Sequence, residues 1–92
     1  DAEAIAAMRQ LARGSERDIP ILAGESGVAG LAALNQLAAK RAQMQAMDLD
    51  GEARVLMINS EGATAPSVYA EATGESAESV LLRQQQWQQQ HR

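Results

Sequence analysis

The stretch from Pro20 to Leu34 constrains the fold of this chain more than any other. A short apolar run at residues 19–22 leads into the glycine-flanked carboxylate Glu25, and apolar residues at helical spacing follow. This order predicts a strand, a turn and a helix. Open α/β sheets bind ligands just outside the carboxyl ends of their strands, where such junctions lie. The stretch therefore predicts a small-molecule site, with Glu25 beside the free amides of a helix N-terminus.

A second apolar run, residues 54–59, predicts a second strand. Its continuous apolar character is typical of parallel strands that are covered on both faces. Between the two runs, one helical face predicts a helix from about Ser26 to Met47, which is the crossover expected of a βαβ unit. We therefore expect an α/β fold, a fragment of an open, mostly parallel sheet flanked by helices. The residues of that helical face are Val28, Leu31, Leu34, Leu37 and Ala38.

Three further helices are expected around this unit. Residues 1–13 have helical spacing and are followed by Gly14, a typical stop. Pro66 suits the first position of a short helix that ends near Gly74. Ser76 is a candidate N-cap for a last helix. We assign residues 1–82 to one structural unit and residues 83–92 to a glutamine-rich tail, which either extends the last helix or is disordered.

Composition limits the core that this chain can build. Among its 92 residues 46% are hydrophobic, but many of these are Ala, Phe is absent, and Trp and Tyr occur once each. Burial contributes roughly 25 cal/mol per Å² of apolar surface, whereas ordering costs roughly 1.5 kcal/mol per residue. We therefore expect the chain to pack against something larger. Its first residue is Asp1 and not Met, which agrees with a piece of a longer protein.

Charge and cysteine content narrow the function classes. The net charge of −4, without a basic stripe, argues against nucleic acid and anionic membranes as partners. The absence of Cys excludes disulfides and thiolate metal ligands in this chain. No apolar stretch approaches the roughly 20 residues of a membrane span, and no signal peptide is evident. We expect a cytoplasmic protein with no metal site.

Two local motifs suggest chemistry that the neighbouring residues do not support. Residues 24–27 resemble a nucleophile elbow, but Val28 stands where the elbow needs Gly, and the single His lies at position 91. This stretch by itself fits a ligand-binding turn and a purely structural turn equally well. Residues 48–51 resemble part of a calcium loop, but Ala46 and Met57 occupy positions that need carboxylates, so we predict a turn.

Lys40 is the only lysine and the only candidate for covalent attachment of a carbonyl cofactor. Such a lysine needs a desolvated pocket that lowers its pKa. The glutamine- and arginine-rich surroundings of Lys40 provide none, so we expect a solvated side chain and no catalytic residue in this chain.

Two segments together resemble one enzyme family. Residues 23–31, Ala-Gly-Glu-Ser-Gly-Val-Ala-Gly-Leu, and residues 55–64, Val-Leu-Met-Ile-Asn-Ser-Glu-Gly-Ala-Thr, are similar to the C-terminal part of diaminopropionate ammonia-lyase. That family belongs to the fold-type II pyridoxal-phosphate enzymes, with threonine dehydratase and the tryptophan synthase β chain. The likeness covers most of residues 1–82, which implies that they form the C-terminal part of the large domain of such an enzyme.

The resemblance implies an activity and a cofactor. The family eliminates ammonia from 2,3-diaminopropionate and gives pyruvate, using pyridoxal phosphate bound to a lysine in the N-terminal half. That lysine and the phosphate-binding loop lie outside this chain, so the remainder of the enzyme would be its partner and the isolated chain would be inactive. Family members commonly form dimers, which implies a homodimer. The residues that match the ring side of the cofactor pocket are Gly24, Glu25, Ser26, Asn59 and Ser60.

One departure from the family leaves alternatives open. Ala65 precedes Pro66 where the family usually carries Asp, which makes the substrate less certain than the cofactor. Another fold-type II enzyme, a threonine dehydratase or a synthase-like member, is one alternative. A non-catalytic α/β interaction module that uses the alanine-rich helices and the glutamine-rich tail is another.

Overall fold

Five α-helices form the structure, a computed structural model that describes residues 2–59 and 65–91. Over these ranges it contains helices and irregular segments, with no strand. No helix there is long and apolar enough to cross a membrane, as expected. The helices are α1 (Ala2–Arg13), α2 (Ala29–Ala38), α3 (Arg41–Ala46), α4 (Pro66–Thr73) and α5 (Ala77–Gln90).

The expected α/β fold is therefore wrong, because both predicted strands are irregular. In the first run, the Ile21 amide donates to the Leu11 carbonyl at 2.8 Å, so this segment bonds the end of α1 and not another strand. In the second run, Leu56 is 89% exposed and Ile58 is 80% exposed, so it is not a buried strand. Short apolar runs do not identify strands by themselves, since a strand is stabilised by the strands that pair with it.

The long helix expected over residues 26–47 is present as two shorter helices. α2 begins at Ala29, and the chain leaves helical geometry at Lys40, where φ is −122° and ψ is 92°. The second apolar run then passes over α2, because a Cβ added to Gly30 would lie 3.7 Å from the Met57 sulfur. The two motifs that flank α2 therefore remain neighbours without a sheet.

The other helices begin and end where the sequence predicts. Gly14 follows α1 with a φ of 60°, and Gly74 ends α4 with a φ of 84°, both in the left-handed region that favours glycine. Pro66 is the first residue of α4, and the Ser76 hydroxyl accepts the Ser79 amide at 3.1 Å. The glutamine-rich tail extends α5 to Gln90, so of its two predicted states the helical one is present.

The core lies where α1 packs against α2 and α4, with α5 beside α4. It consists mainly of small side chains, and Val28 and Val80 are the largest that are fully buried. This agrees with the sparse core expected from composition. The buried residues are Ala4, Ala7, Met8, Ala12, Ala23, Val28, Ala32, Tyr69, Ala77 and Val80.

Candidate functional site

The glycine-flanked turn lies at the mouth of a cavity between α1 and α2. Gly24 is half-buried, while Glu25 and Ser26 are exposed in the turn that leads into α2. The cavity volume is about 420 Å³, within the range that small ligands occupy. It is lined by Glu3, Ala4, Glu25, Ser26, Ala29, Ala32, Ala33 and Gln36.

The polar groups of this cavity set what it can accept. Glu3, in the first turn of α1, and Glu25 bring carboxylates to its wall, and Ser26 and Gln36 bring neutral groups that donate and accept hydrogen bonds. The remaining lining residues are alanines, which leave room without adding polarity. The cavity therefore favours neutral or cationic polar groups over a phosphate.

Asn59 joins the second motif to the first. Its side-chain amide lies 3.5 Å from the Leu22 carbonyl oxygen, two residues before Gly24. This contact brings Asn59 next to the segment that enters the turn. Ser60, the other residue assigned to this motif, lies outside the described residues, as does most of the glycine loop after it.

The helix that follows Glu25 begins later than the sequence predicts, at Ala29 instead of about Ser26. Its N-cap is Val28, and it has no acidic residue in its first turn. Glu25 therefore lies in the turn that leads into α2.

The remaining candidate residues lie away from the cavity. Lys40 is exposed at the junction of α2 and α3 and does not line it. The Asp50 carboxylate accepts the Glu52 amide at 2.9 Å, and its carbonyl accepts the Ala53 amide at 3.1 Å, which gives the predicted turn. Over the described ranges, no group of His, Cys, Asp or Glu side chains could hold a metal ion.

An arginine cluster that the sequence did not indicate joins α5 to the ends of α1 and α4. Arg83 of α5 bonds both carboxylate oxygens of Glu75, at 2.9 and 2.8 Å, and donates to the carbonyls of Ala12 and Arg13 at the end of α1. Arg9 donates to carbonyls at the end of α4. These guanidinium groups satisfy helix carbonyls that have no partner within their own helix.

The electrostatics of this cluster follow from its geometry. The hydrogen bonds from Arg83 hold the pKa of Glu75 below its ordinary value, although partial burial opposes them. The same hydrogen bonds raise the pKa of Arg83. The pair is bidentate and charged under neutral conditions, and it ties α5 to the segment after α4. We assign the cluster a role in holding the helices together.

Tyr69 adds a buried phenol next to this cluster. Its hydroxyl has no hydrogen-bond partner among the described residues. The nearby Thr73 hydroxyl lies within hydrogen-bond distance of the Tyr69 and Glu75 carbonyls. Burial raises the pKa of Tyr69, and the Glu75 carboxylate raises it further, while Thr73 and Arg83 lower it. The phenol is therefore uncharged at neutral pH. No sequence signal distinguished it from an ordinary core residue.

Comparisons with family models, curated proteins and solved structures give no match to this chain. The similarity to diaminopropionate ammonia-lyase therefore stays a prediction that rests on the residues of the two motifs.

Proposed function

We propose that this chain is part of a pyridoxal-phosphate-dependent ammonia-lyase that acts on 2,3-diaminopropionate, and that it lines the ring side of the cofactor pocket. The contact of Asn59 with the Leu22 carbonyl carries the proposal, because Leu22 directly precedes the first motif and Asn59 belongs to the second. The two motifs stand apart in sequence, and both resemble the same family. The proposal rests on these residues and not on the fold, because the described residues form no sheet.

The residues present fit the ring side of the cofactor and not its phosphate. Ser26 and Asn59 offer neutral hydrogen-bonding groups, which suit the polar edge of a pyridine ring. Glu3 and Glu25 would repel a phosphate in the adjoining cavity. When bound, pyridoxal phosphate withdraws electrons from the α-carbon of an amino acid, which is the basis of elimination chemistry.

The work of this chain would be to orient the ring and to exclude water from one side of it. Lys40, its only lysine, is exposed and lies outside the cavity, so it lacks the desolvated setting of a cofactor lysine. The lysine and the phosphate loop would come from the remainder of the same protein. That remainder is the partner we propose, in a homodimer of the complete enzyme.

The complete reading frame that encodes this chain provides the test. The purified full-length protein is incubated with pyridoxal phosphate, reduced with borohydride and digested, and the modified lysine is located by mass spectrometry. We expect a single modified lysine other than Lys40, and release of ammonia and pyruvate from 2,3-diaminopropionate. A protein that does not bind the cofactor, or that carries the reduced adduct on Lys40 with turnover, contradicts the proposal.

Point variants test the proposed cofactor contacts, and a second substrate tests the proposed reaction. Ser26→Ala and Asn59→Ala should weaken cofactor binding several-fold, whereas Lys40→Arg, remote from the cavity, should leave it unchanged. Faster ammonia release from threonine than from 2,3-diaminopropionate would assign the protein to the dehydratases instead.

A non-catalytic interaction module is the second candidate, and one observation favours it. Leu56 and Ile58 expose most of their apolar surface in an irregular segment, as a protein-binding surface does. A full-length protein that binds no pyridoxal phosphate but forms a stable complex through this segment would support this candidate over the lyase.

A further inference from the structure

The turn between α3 and the second apolar run carries a feature that the proposed function does not use. Asp50 is followed by Gly51, and both residues are exposed. A Cβ added to Gly51 would meet no atom within 4 Å, so the backbone at this position lies open to solvent. This pair differs from Asp48 and Leu49, which occur two residues earlier in the same turn region.

Asp48 and Asp50 differ in the hydrogen bonds of the residues that follow them. The Leu49 amide donates to the Met44 carbonyl at 2.9 Å, so the nitrogen that follows Asp48 is engaged. The Gly51 amide makes no backbone hydrogen bond over the described ranges. The Asp50 carboxylate accepts the Glu52 amide at 2.9 Å, which folds this carboxyl group back over the peptide that follows it.

We propose that Asp50 is a site of spontaneous isomerisation to isoaspartate. The Gly51 nitrogen attacks Cγ of the protonated Asp50 carboxyl group and forms an N–Cγ bond. The Cγ–OH bond breaks, and the hydroxyl leaves with the amide proton as a water molecule, which gives a cyclic succinimide. The reaction needs an accessible nitrogen and a side chain that reaches it. Within the part of the chain that the structure describes, the Gly51 amide makes no backbone hydrogen bond, and the Asp50 carboxylate is turned toward the chain that follows it by its bond to the Glu52 amide.

Water then opens the succinimide at either carbonyl. Addition at Cγ breaks the N–Cγ bond and restores aspartate. Addition at the main-chain carbonyl breaks the original peptide bond, so the chain continues through the side chain as isoaspartate. Water lost in the first step is regained in the second, and no atom changes oxidation state. The reaction therefore requires no enzyme, oxidant or reductant.

Isomerisation would alter the connection between α3 and the second apolar run. The extra methylene in the backbone displaces the Asp50 carbonyl and carboxylate, which hold the amides of Ala53 and Glu52. Val55, which lines a small cavity with Leu34 and Met44, follows this turn directly. The modification thus acts on the segment whose apolar side chains are most exposed, independently of any cofactor.

The test uses the full chain, incubated in ¹⁸O-water at mildly acidic pH and then digested with trypsin. Cleavage after Arg41 and Arg54 releases one peptide that contains both Asp48 and Asp50. Fragmentation that distinguishes isoaspartate from aspartate locates the heavy oxygen. We expect label and isoaspartate at Asp50 to exceed those at Asp48 several-fold.

Gly51→Ala is the matched variant, because the structure has open space for its methyl group and the fold should not change. The methyl group shields the attacking nitrogen, so the label at Asp50 should fall several-fold. Equal labelling of the two aspartates, or labelling of Asp50 that Gly51→Ala leaves unchanged, overturns the proposal.

Discussion

Gly14 lies where the backbone leaves no room for a side chain. Its φ is +60°, and a Cβ added there would lie 2.6 Å from the Asp18 carbonyl oxygen and 2.9 Å from the Pro20 nitrogen. Both atoms belong to the backbone and cannot rotate away. Gly14→Ala should therefore lower the free energy of unfolding by about 2 kcal/mol, measured by urea denaturation followed by circular dichroism.

Gly51→Ala is the control for this effect, since Gly51 has open space around it and no positive φ. Alanine reduces the conformational entropy of the unfolded chain. The Gly51→Ala variant should therefore be as stable as the parent or more stable by about 0.5 kcal/mol. If Gly14→Ala and Gly51→Ala were equally stable, the assignment of strain to Gly14 would be wrong.

The Glu75 carboxylate should make the stability of the chain depend on acid pH. Its folded-state pKa lies below its ordinary value because Arg83 bonds both of its oxygens. The ion pair therefore stabilises the folded chain fully at pH values above the unfolded-state pKa of about 4.3. This stabilisation is lost as the pH falls through the lower pKa of the folded state. Glu75→Gln should cost stability at neutral pH and progressively less in acid.

Urea denaturation at a series of pH values measures this difference. Glu71→Gln, an exposed position on α4, serves as the matched control and should follow the parent at every pH. A difference between the parent and Glu75→Gln that stays constant from neutral to acid pH would contradict the role assigned to the ion pair.

The start of α4 lacks a cap that one substitution could supply. Ala65 is the N-cap of α4, with φ −126° and ψ 86°, and makes no side-chain hydrogen bond. Aspartate at this position accepts free amides of the first turn, so Ala65→Asp should stabilise the chain by about 1 kcal/mol. The change also restores the residue that the proposed family usually carries. Thermal unfolding followed by circular dichroism checks it.

Ser76→Ala provides the opposite case at the start of α5, because it removes a cap that is already present. It should destabilise the chain by about 1 kcal/mol. Should Ala65→Asp leave the midpoint unchanged while Ser76→Ala lowers it, the start of α4 would not have the N-cap geometry described.

The sequence predicted elements well where the signal is local. Pro66, Gly74 and Ser76 mark helix ends through single-residue chemistry, and all three are confirmed. The two strand predictions were wrong because strand pairing depends on residues distant in sequence. The backbone of residues 19–22 bonds α1, and residues 54–58 have no strand beside them over the described ranges. The break at Lys40 has no sequence signal either, since Ala and Lys are both good helix formers.

The candidate site shows the same division. The sequence motifs point to residues 24–26 and Asn59, and Asn59 contacts Leu22, which lies two residues before Gly24. The walls contributed by Glu3 and Gln36 could not be found, because they depend on how α1 packs against α2. The Arg83–Glu75 pair has no sequence signal for a similar reason, because the carbonyls that Arg83 bonds belong to another helix.

At the scale of the whole molecule, the distribution of apolar surface is unusual. The core is built mostly from alanines, while large apolar side chains lie outside it. Large exposed apolar patches are typical of surfaces that contact another molecule. The expectation that the chain packs against something larger, drawn from composition, stays a prediction, and we propose residues 55–58 as the contact surface.

Measuring self-association of the chain tests whether residues 55–58 form a contact surface. Leu56 is 89% exposed, so Leu56→Asp should disrupt apolar contact between molecules without changing the fold. Sedimentation velocity over a range of concentrations should show association of the parent and a mainly monomeric Leu56→Asp variant, with equal helix content by circular dichroism. Val68→Asp, on the exposed side of α4, is the matched control and should associate like the parent. If both substitutions abolish association equally, or neither does, the segment 55–58 is not the surface that drives it.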